Sequence, residues 1–215
     1  MDPLSIIAST LAIVQAISMT YKAIQHLSGL PNEFREVNRN LPLVQSTLNL
    51  ARDQLLGLPL DEPSKIAIQP VVSACKEKAK ALQDIFDKVG KGVKSTKDGS
   101  LLDFYRNYLR PLGKAHRVEN LMQGILRDLD ALATNQLFKT ATRSQMALLK
   151  EAIDQLSHVE SSVPDSDFDG PGTNLNQSIS SGGTGYQSVN SGQDQKINSG
   201  GGKMFVAHSI SFGAE

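Results

Sequence analysis

The sequence has one cysteine, no tryptophan and few other aromatic residues, which make up 5% of its 215 residues. A single cysteine, Cys75, excludes an intramolecular disulfide and fits a reducing compartment such as the cytosol. With so few aromatic side chains, a core must be built mainly from leucine, isoleucine, valine and alanine. The length fits one domain with an appendage.

The chain also lacks an excess of either charge, since 22 basic residues balance 22 acidic ones. A net charge of zero argues against a general nucleic-acid-binding protein. The charges are unevenly placed: residues 1–160 hold 20 Lys and Arg against 17 Asp and Glu, whereas residues 161–215 hold 2 against 5. The two parts of the chain therefore differ in character.

Motifs that would indicate an enzyme are missing. Neither a P-loop pattern, G-x-x-x-x-G-K, nor a G-x-S-x-G nucleophile motif occurs. The four histidines lie one to a predicted element, without metal-ligand spacing, at His26, His116, His158 and His208. We therefore expect a non-enzymatic protein that needs no metal or cofactor.

A long uncharged and mostly apolar stretch, residues 3–21, predicts an N-terminal helix. Asp2 can cap this helix, and Pro3 fits its first position. The candidate membrane or core positions of the helix are Leu4, Ile6, Ile7, Leu11, Ile13, Val14, Ile17 and Ile24. A helix that is apolar on almost every side must be covered by protein or by lipid, and both covers stay open at this point. Its hydroxyl side chains and the lack of a preceding basic region argue against a signal peptide or a constitutive membrane span.

Two helical seams follow, in which apolar residues alternate at spacings of three and four. The first seam consists of Phe34, Val37, Leu41, Val44, Leu48, Ala51 and Leu55. The second consists of Ile68, Val72, Cys75, Ala79, Leu82, Phe86 and Val89. Pro42 lies within the first seam and is expected to bend the helix without ending it. Cys75 is expected to be a buried core residue rather than a reactive thiol.

Residues 101–132 predict a fourth helix, bent or broken at Arg110-Pro111-Leu112-Gly113, and residues 136–159 predict a last one. Their expected core positions include Leu112, Ala115, Leu148 and Leu149. Together the segments predict an all-α bundle of about five helices over residues 1–160, with short connections between mostly antiparallel neighbours.

A basic segment, residues 88–99, is expected to fray from the third helix into a loop. It carries Lys88, Lys91, Lys94 and Lys97. These lysines form either a solvated surface or a patch that binds anionic lipid headgroups, because each lysine near an anionic leaflet contributes about 1 kcal/mol.

The composition changes after residue 160. Residues 161–175 are rich in Ser, Pro, Asp and Gly and predict a flexible linker. Residues 176–213 contain an approximate repeat, Gln-x-Ile/Val-Asn/Ser-Ser-Gly, followed by a segment of high β-propensity. The candidate assembly residues are Gln177, Ile179, Gln187, Val189, Gln195, Ile197, Phe205, Val206, Ile210 and Phe212. This Gly/Ser/Asn-rich tail is either disordered or able to form β-structure when copies stack, and the register of the repeat favours β-assembly.

The segments MDPLSIIAS and LSGLPNEFREVNRNLPLVQSTLNLARDQL resemble the fungal SesA-type domain, the N-terminal domain of NACHT and P-loop NTPases, which belongs to the HeLo and HeLo-like group. The resemblance covers roughly residues 5–130. The repeated tail, which ends in Phe212-Gly213, is similar to the sigma motif, an amyloid-forming segment of the same fungal system.

The two resemblances imply a cytoplasmic cell-death effector in heterokaryon incompatibility or innate immune signalling. Its implied partner is a NACHT/STAND-type receptor that carries a similar amyloid motif and templates the tail, so that copies self-assemble. Anionic membrane lipids are a further candidate partner, with relocation to the plasma membrane on activation; nucleic acid is not expected. The alternative is a helical interaction adaptor with a disordered tail and no membrane activity.

Overall fold

A computed structural model describes residues 2–57, 61–95, 100–135, 137–138, 142–168, 195–198 and 204–207. The chain divides into two units, of which the first ends at Phe168 and the second is Asp169–Glu215. The first unit is an all-α bundle, as predicted. Its described part has six α-helices: α1 Pro3–Ile24, α2 Asn32–Leu56, α3 Glu62–Ser95, α4 Leu101–Leu109, α5 Val118–Thr134 and α6 Arg143–Ser157.

Local sequence signals determine where α1 starts, where the chain turns after it, and how far α2 continues. The Ser5 amide donates to Asp2 Oδ2 at 3.2 Å, so Asp2 caps α1, with Pro3 following as its first residue. After α1 the chain turns at Gly29, whose φ of +81° is strained for other residues. The second helix continues through Pro42, as its uninterrupted seam predicts.

The helices pack with α1 along one side of the bundle. α1 packs mainly against α3 and also against α2, while α5 packs against α3, α2 and α6. Thr20 bonds to Asp87 near one end of α1, and Asp2 interacts electrostatically with Lys65 near the other. These two contacts show that α1 and α3 run parallel, with the antiparallel α2 connecting them in sequence.

Both predicted seams lie in the core, and each of their residues is buried. Cys75 is 1% exposed, which confirms its expected core position. At one end of the core, the Phe34 ring lies 4.8 Å from the Phe86 ring and 5.2 Å from the Tyr105 ring, measured between centroids. This aromatic cluster joins α2, α3 and α4.

The predicted fourth helix is broken, and its two halves are α4 and α5. A 3-10 turn, Lys114–His116, lies between them. Leu112 is therefore 38% exposed and Ala115 is exposed, so their predicted core positions are wrong: both lie in the connection between the helices. The last helix begins at Arg143 rather than near residue 136. Of its two adjacent predicted positions, Leu149 is buried as expected, whereas Leu148 is wrong, because it is 48% exposed.

The predicted basic loop is wrong up to residue 95, because α3 continues through Gly90 and Gly92. A Cβ at Gly90 would lie 3.5 Å from Ile24, and one at Gly92 would lie 2.5 Å from the Phe104 ring. Packing of α1 and α4 on this stretch offsets the poor helix propensity of glycine, which costs about 1 kcal/mol per residue, but only Gly92 lacks room for a Cβ. Residues 96–99, including Lys97, lie outside the described residues.

The predicted flexible linker begins too early. Residues 161–168, which we call the strap, lie on the bundle, and the first unit therefore extends beyond the expected boundary at residue 160. Ser162 is 7% exposed and Val163 is 0% exposed. Composition alone missed this packing because a single buried valine and specific polar contacts hold the segment.

Candidate functional site

The N-terminal helix is covered by protein on one face. Among its candidate positions, Ile6, Ile7, Leu11, Val14, Ile17 and Ile24 are buried, and Leu4 and Ile13 are partly buried against the core. Thr10 is also buried, and its hydroxyl is satisfied by the Ile6 carbonyl at 2.8 Å. The apolar seam of α1 is therefore part of the core of the bundle.

The opposite face of α1 is exposed, so the expectation that this helix needs cover on every side is wrong. The exposed positions recur at spacings of three and four and carry mostly short or polar side chains: Ser5, Ala8, Ala12, Gln15 and Met19. Alanine and serine present little apolar surface, and their exposure is therefore tolerated. Met19, at 72% exposed, is the large apolar side chain on this face.

Among the described residues, one helix, α1, has the length and mean hydropathy of a membrane span. Of the 18-residue window that meets this criterion, 39% is buried inside the protein. A core helix of a soluble protein passes the same criterion. Length and hydropathy therefore leave the membrane role of α1 as a proposal.

The candidate headgroup lysines lie near the end of α3. Lys88 and Lys91 are exposed, and their spacing of three residues places them on the same side of the helix. The backbone of Lys94 lies in the same helix. Lipid binding by this segment stays a prediction.

The strap makes several ion pairs and hydrogen bonds with the bundle at the corner where α4 meets α5. Arg117 donates to Asp165 Oδ1, and Lys114 Nζ lies 3.1 Å from Asp165 Oδ2. Arg106 Nε lies 3.3 Å from Asp167 Oδ2. Three basic side chains of the bundle thus hold two acidic side chains of the strap.

The guanidinium of Arg117 is the centre of this corner, and the residue is only 5% exposed. Besides Asp165 it bonds to Ser161 Oγ at 3.3 Å, and it lies 4.9 Å from the centroid of the Phe168 ring. Its Nε has no hydrogen-bond partner. Hydrogen bonds from Arg117 and Lys114 hold the pKa of Asp165 below its usual range.

Beneath the ion pairs, the strap enters the core through Ser162. Its hydroxyl lies 2.9 Å from the Tyr105 hydroxyl, and its amide donates to Glu119 Oε1 at 3.1 Å. The Val118 amide donates to the Tyr105 hydroxyl at 3.4 Å. Burial raises the pKa of the Tyr105 phenol well above its usual range. This hydrogen-bond network joins the strap to the aromatic cluster around Phe34.

Carboxylates also gather at this corner. Burial raises the pKa of Glu33, and the negative charges of Glu119 and Glu160 raise it further. Glu119 is 5% exposed, and its Oε2 has no hydrogen-bond partner. Across the described ranges, however, no group of three His, Cys, Asp or Glu side chains has the arrangement of a metal site.

The lone cysteine shows no sign of reactivity. Burial raises the pKa of the Cys75 thiol to about 12, so the nucleophilic thiolate is almost absent at neutral pH. Its expected structural role is confirmed.

In the second unit two short strands are described, β1 Gln195–Asn198 and β2 Met204–Ala207. They pair antiparallel, with Ile197 opposite Phe205 and Lys196 opposite Val206. β1 coincides with the Gln-x-Ile-Asn part of the third repeat, where the sequence predicts a strand. The other candidate assembly residues, Gln177, Ile179, Gln187, Val189, Ile210 and Phe212, lie outside the described residues.

The family assignment follows from the helical part of the chain. The sequence profile of SesA, the N-terminal domain on NACHT NTPases and P-loop NTPases, matches residues 7–132, more than half of the chain. The chain belongs to the SesA family. SesA is an N-terminal effector or signalling domain and not a catalytic family. No curated protein and no solved structure matches the chain.

The profile spans α1 to α5 of this SesA chain, so the predicted family is confirmed over nearly the predicted residues. Helix α6, the strap and the tail lie beyond the match, and the resemblance of the tail to the sigma motif stays a prediction. Sequence reasoning missed the strap entirely. Asp165 and Asp167, shortly before Phe168, are opposite in charge to the basic residues between α4 and α5. This charge complementarity is the signal that could have predicted the strap.

Proposed function

We propose that this SesA chain is a non-enzymatic effector or adaptor in NACHT-linked signalling, controlled by β-assembly of its tail. The proposal rests mainly on one observation: the same chain contains a SesA bundle and a tail in which a repeat unit forms a strand. A receptor of the NACHT/STAND type with a similar repeat would template this tail. Each added copy would bring one more bundle to the same place.

The bundle supports an effector that is silent before assembly. Its N-terminal helix buries an apolar seam against α2 and α3, so that little of that seam is available to a membrane at rest. Gathering many bundles raises their local concentration by orders of magnitude, which favours weak contacts between bundles or with a lipid surface. Lys88 and Lys91 are the described basic residues proposed to meet anionic headgroups. In this proposal the resting protein is cytoplasmic and relocates to the plasma membrane, where cell death follows.

The adaptor alternative draws on the exposed face of α1. Its uncharged side chains, mostly alanine and serine, allow another helix to approach closely. In that case the bundle recruits a partner without touching a membrane. Liposome leakage by assembled protein distinguishes the two: leakage supports the effector, whereas partner recruitment without leakage supports the adaptor.

Seeded assembly of the full-length protein tests the shared part of the proposal. Fibrils of a peptide covering residues 176–213 are added to wild type, to Ile197→Pro and to the matched control Asn174→Pro, which lies before the repeat. Proline removes a ladder donor from a strand, so we expect wild type and Asn174→Pro to convert to fibrils with a 4.7–4.8 Å cross-β reflection. Ile197→Pro should stay soluble. A soluble wild-type protein under these conditions would overturn the proposal.

A further inference from the structure

The corner between α4 and α5 has the features of a binding groove for a short acidic segment. We define the strap groove by Tyr105, Arg106, Lys114, Arg117 and Glu119. Three of these residues are basic and pair with Asp165 and Asp167 of the strap, while Tyr105 and Glu119 bind Ser162. The groove complements the strap, because its basic side chains oppose two carboxylates and Glu119 accepts a hydrogen bond from the strap backbone at Ser162.

The strap makes these ion pairs and hydrogen bonds with the groove, and residues 158–160 alone connect it to α6. No part of the groove itself belongs to α6 or to the strap. Any segment with the same sequence can therefore make the same contacts, whichever chain it comes from. A second copy of this protein carries that segment by definition.

We propose that the strap groove is also an interface between copies, in which the strap of one chain docks into the groove of a neighbour. Exchange of identical elements conserves the contacts, so the choice between a chain's own strap and a neighbour's is set by local concentration. In dilute protein the strap is closed on its own bundle. When copies are held together, the exchanged form competes.

The chain length after the strap sets how close neighbouring copies must lie. Between Phe168 and the first repeat residue, Asn176, the chain can span at most about 3.4 Å per residue, or roughly 27 Å. That reach is about the length of an 18-residue helix. Tails that share one assembly therefore hold their bundles within reach of one another's straps. The part played by the tail rests on the proposed function; the exchange itself requires only a high concentration of copies.

Cross-linking between two differently sized full-length chains tests the exchange. One chain carries Lys114→Cys and the other carries Asp165→Cys, both at exposed ion-pair positions, and a short bifunctional thiol reagent joins them. Cys75 stays silent because it is buried and its thiol pKa is about 12. The matched control replaces the strap variant by Lys150→Cys, an exposed position on α6. A single chain with both substitutions shows that the reagent spans the closed strap.

We expect the strap pair to give about tenfold or more cross-linked heterodimer than the control pair, both in seeded assemblies and in concentrated protein with Ile197→Pro. A heterodimer yield from the strap pair no higher than that from the control pair, at every concentration and in the assembly, would overturn the exchange and leave the tail proposal standing. Heterodimer in concentrated Ile197→Pro, combined with no seeded assembly of wild type, would overturn the tail proposal and leave the exchange standing. Circular dichroism of each variant verifies that the bundle is folded.

Discussion

Replacing Tyr105 by phenylalanine removes one hydroxyl from the network that holds the strap. The hydroxyl lies 2.9 Å from Ser162 Oγ and accepts from the Val118 amide at 3.4 Å. The phenylalanine ring keeps the edge contact with Phe34 and the volume of the core. Tyr105→Phe therefore leaves two buried polar groups, one hydroxyl and one amide, without their partner.

A buried polar group that loses its partner costs about 1–3 kcal/mol. We expect Tyr105→Phe to lower the free energy of unfolding by about that amount, or about 2–4 °C in Tm for each kcal/mol in a domain of this size. Tyr108→Phe is the matched control, because Tyr108 lies in the same helix but is only half-buried. Its effect should stay within about 0.5 kcal/mol.

Urea unfolding followed by far-ultraviolet circular dichroism measures both variants. Ser162→Ala and the double variant complete a double-mutant cycle. The double variant should lose less free energy of unfolding than the two single variants added together, because both substitutions remove the same interaction. Equal unfolding midpoints for Tyr105→Phe and Tyr108→Phe would show that the Tyr105 hydroxyl does not stabilise the bundle. Additive losses in the cycle would show that the strap does not depend on this hydroxyl.

Three further predictions concern the helices. Ile17→Ala should cost about 2–5 kcal/mol, because Ile17 is 0% exposed, whereas Met19→Ala in the same helix should cost less than about 0.5 kcal/mol; equal unfolding midpoints would contradict the buried seam. Gly90→Ala should stabilise the protein by about 0.5–1 kcal/mol, while Gly92→Ala should destabilise it, since its Cβ would lie 2.5 Å from the Phe104 ring. Thermal unfolding measures both variants, and a change in Tm of the same sign for both would contradict this prediction. The Cys75 thiol should react with a disulfide reagent at pH 8 only after unfolding, and rapid labelling of the folded protein would be inconsistent with its burial.

The long helices could be predicted from the sequence because their apolar spacing repeats many times. The seams of α2 and α3 each contain seven consecutive positions, so one misplaced residue would have broken the pattern. Asp2 and Pro3 specify the start of α1 through backbone hydrogen bonding, which is a local property of the chain. Family membership followed from the same helical pattern.

The remaining errors share a physical cause, which is that contacts distant in sequence override local composition. Gly90 and Gly92 predict a loop, but the helix persists because α1 and α4 pack closely against them. The strap has a linker composition, yet Arg117 and Tyr105 hold it on the bundle. The exposed face of α1 was mistaken for an apolar one because alanine is classed as hydrophobic, although its small side chain gains little free energy from burial.

Hydrogen exchange along α1 tests most directly the claim that this helix is a core element of the resting protein. Full-length Ile197→Pro is compared with and without vesicles of anionic lipid, and peptides covering residues 3–24 are followed by mass spectrometry. We expect α1 amides to exchange as slowly as those of α3, through global unfolding, and vesicles to leave this rate unchanged. Fast exchange of α1 that slows only when vesicles are added would contradict this expectation.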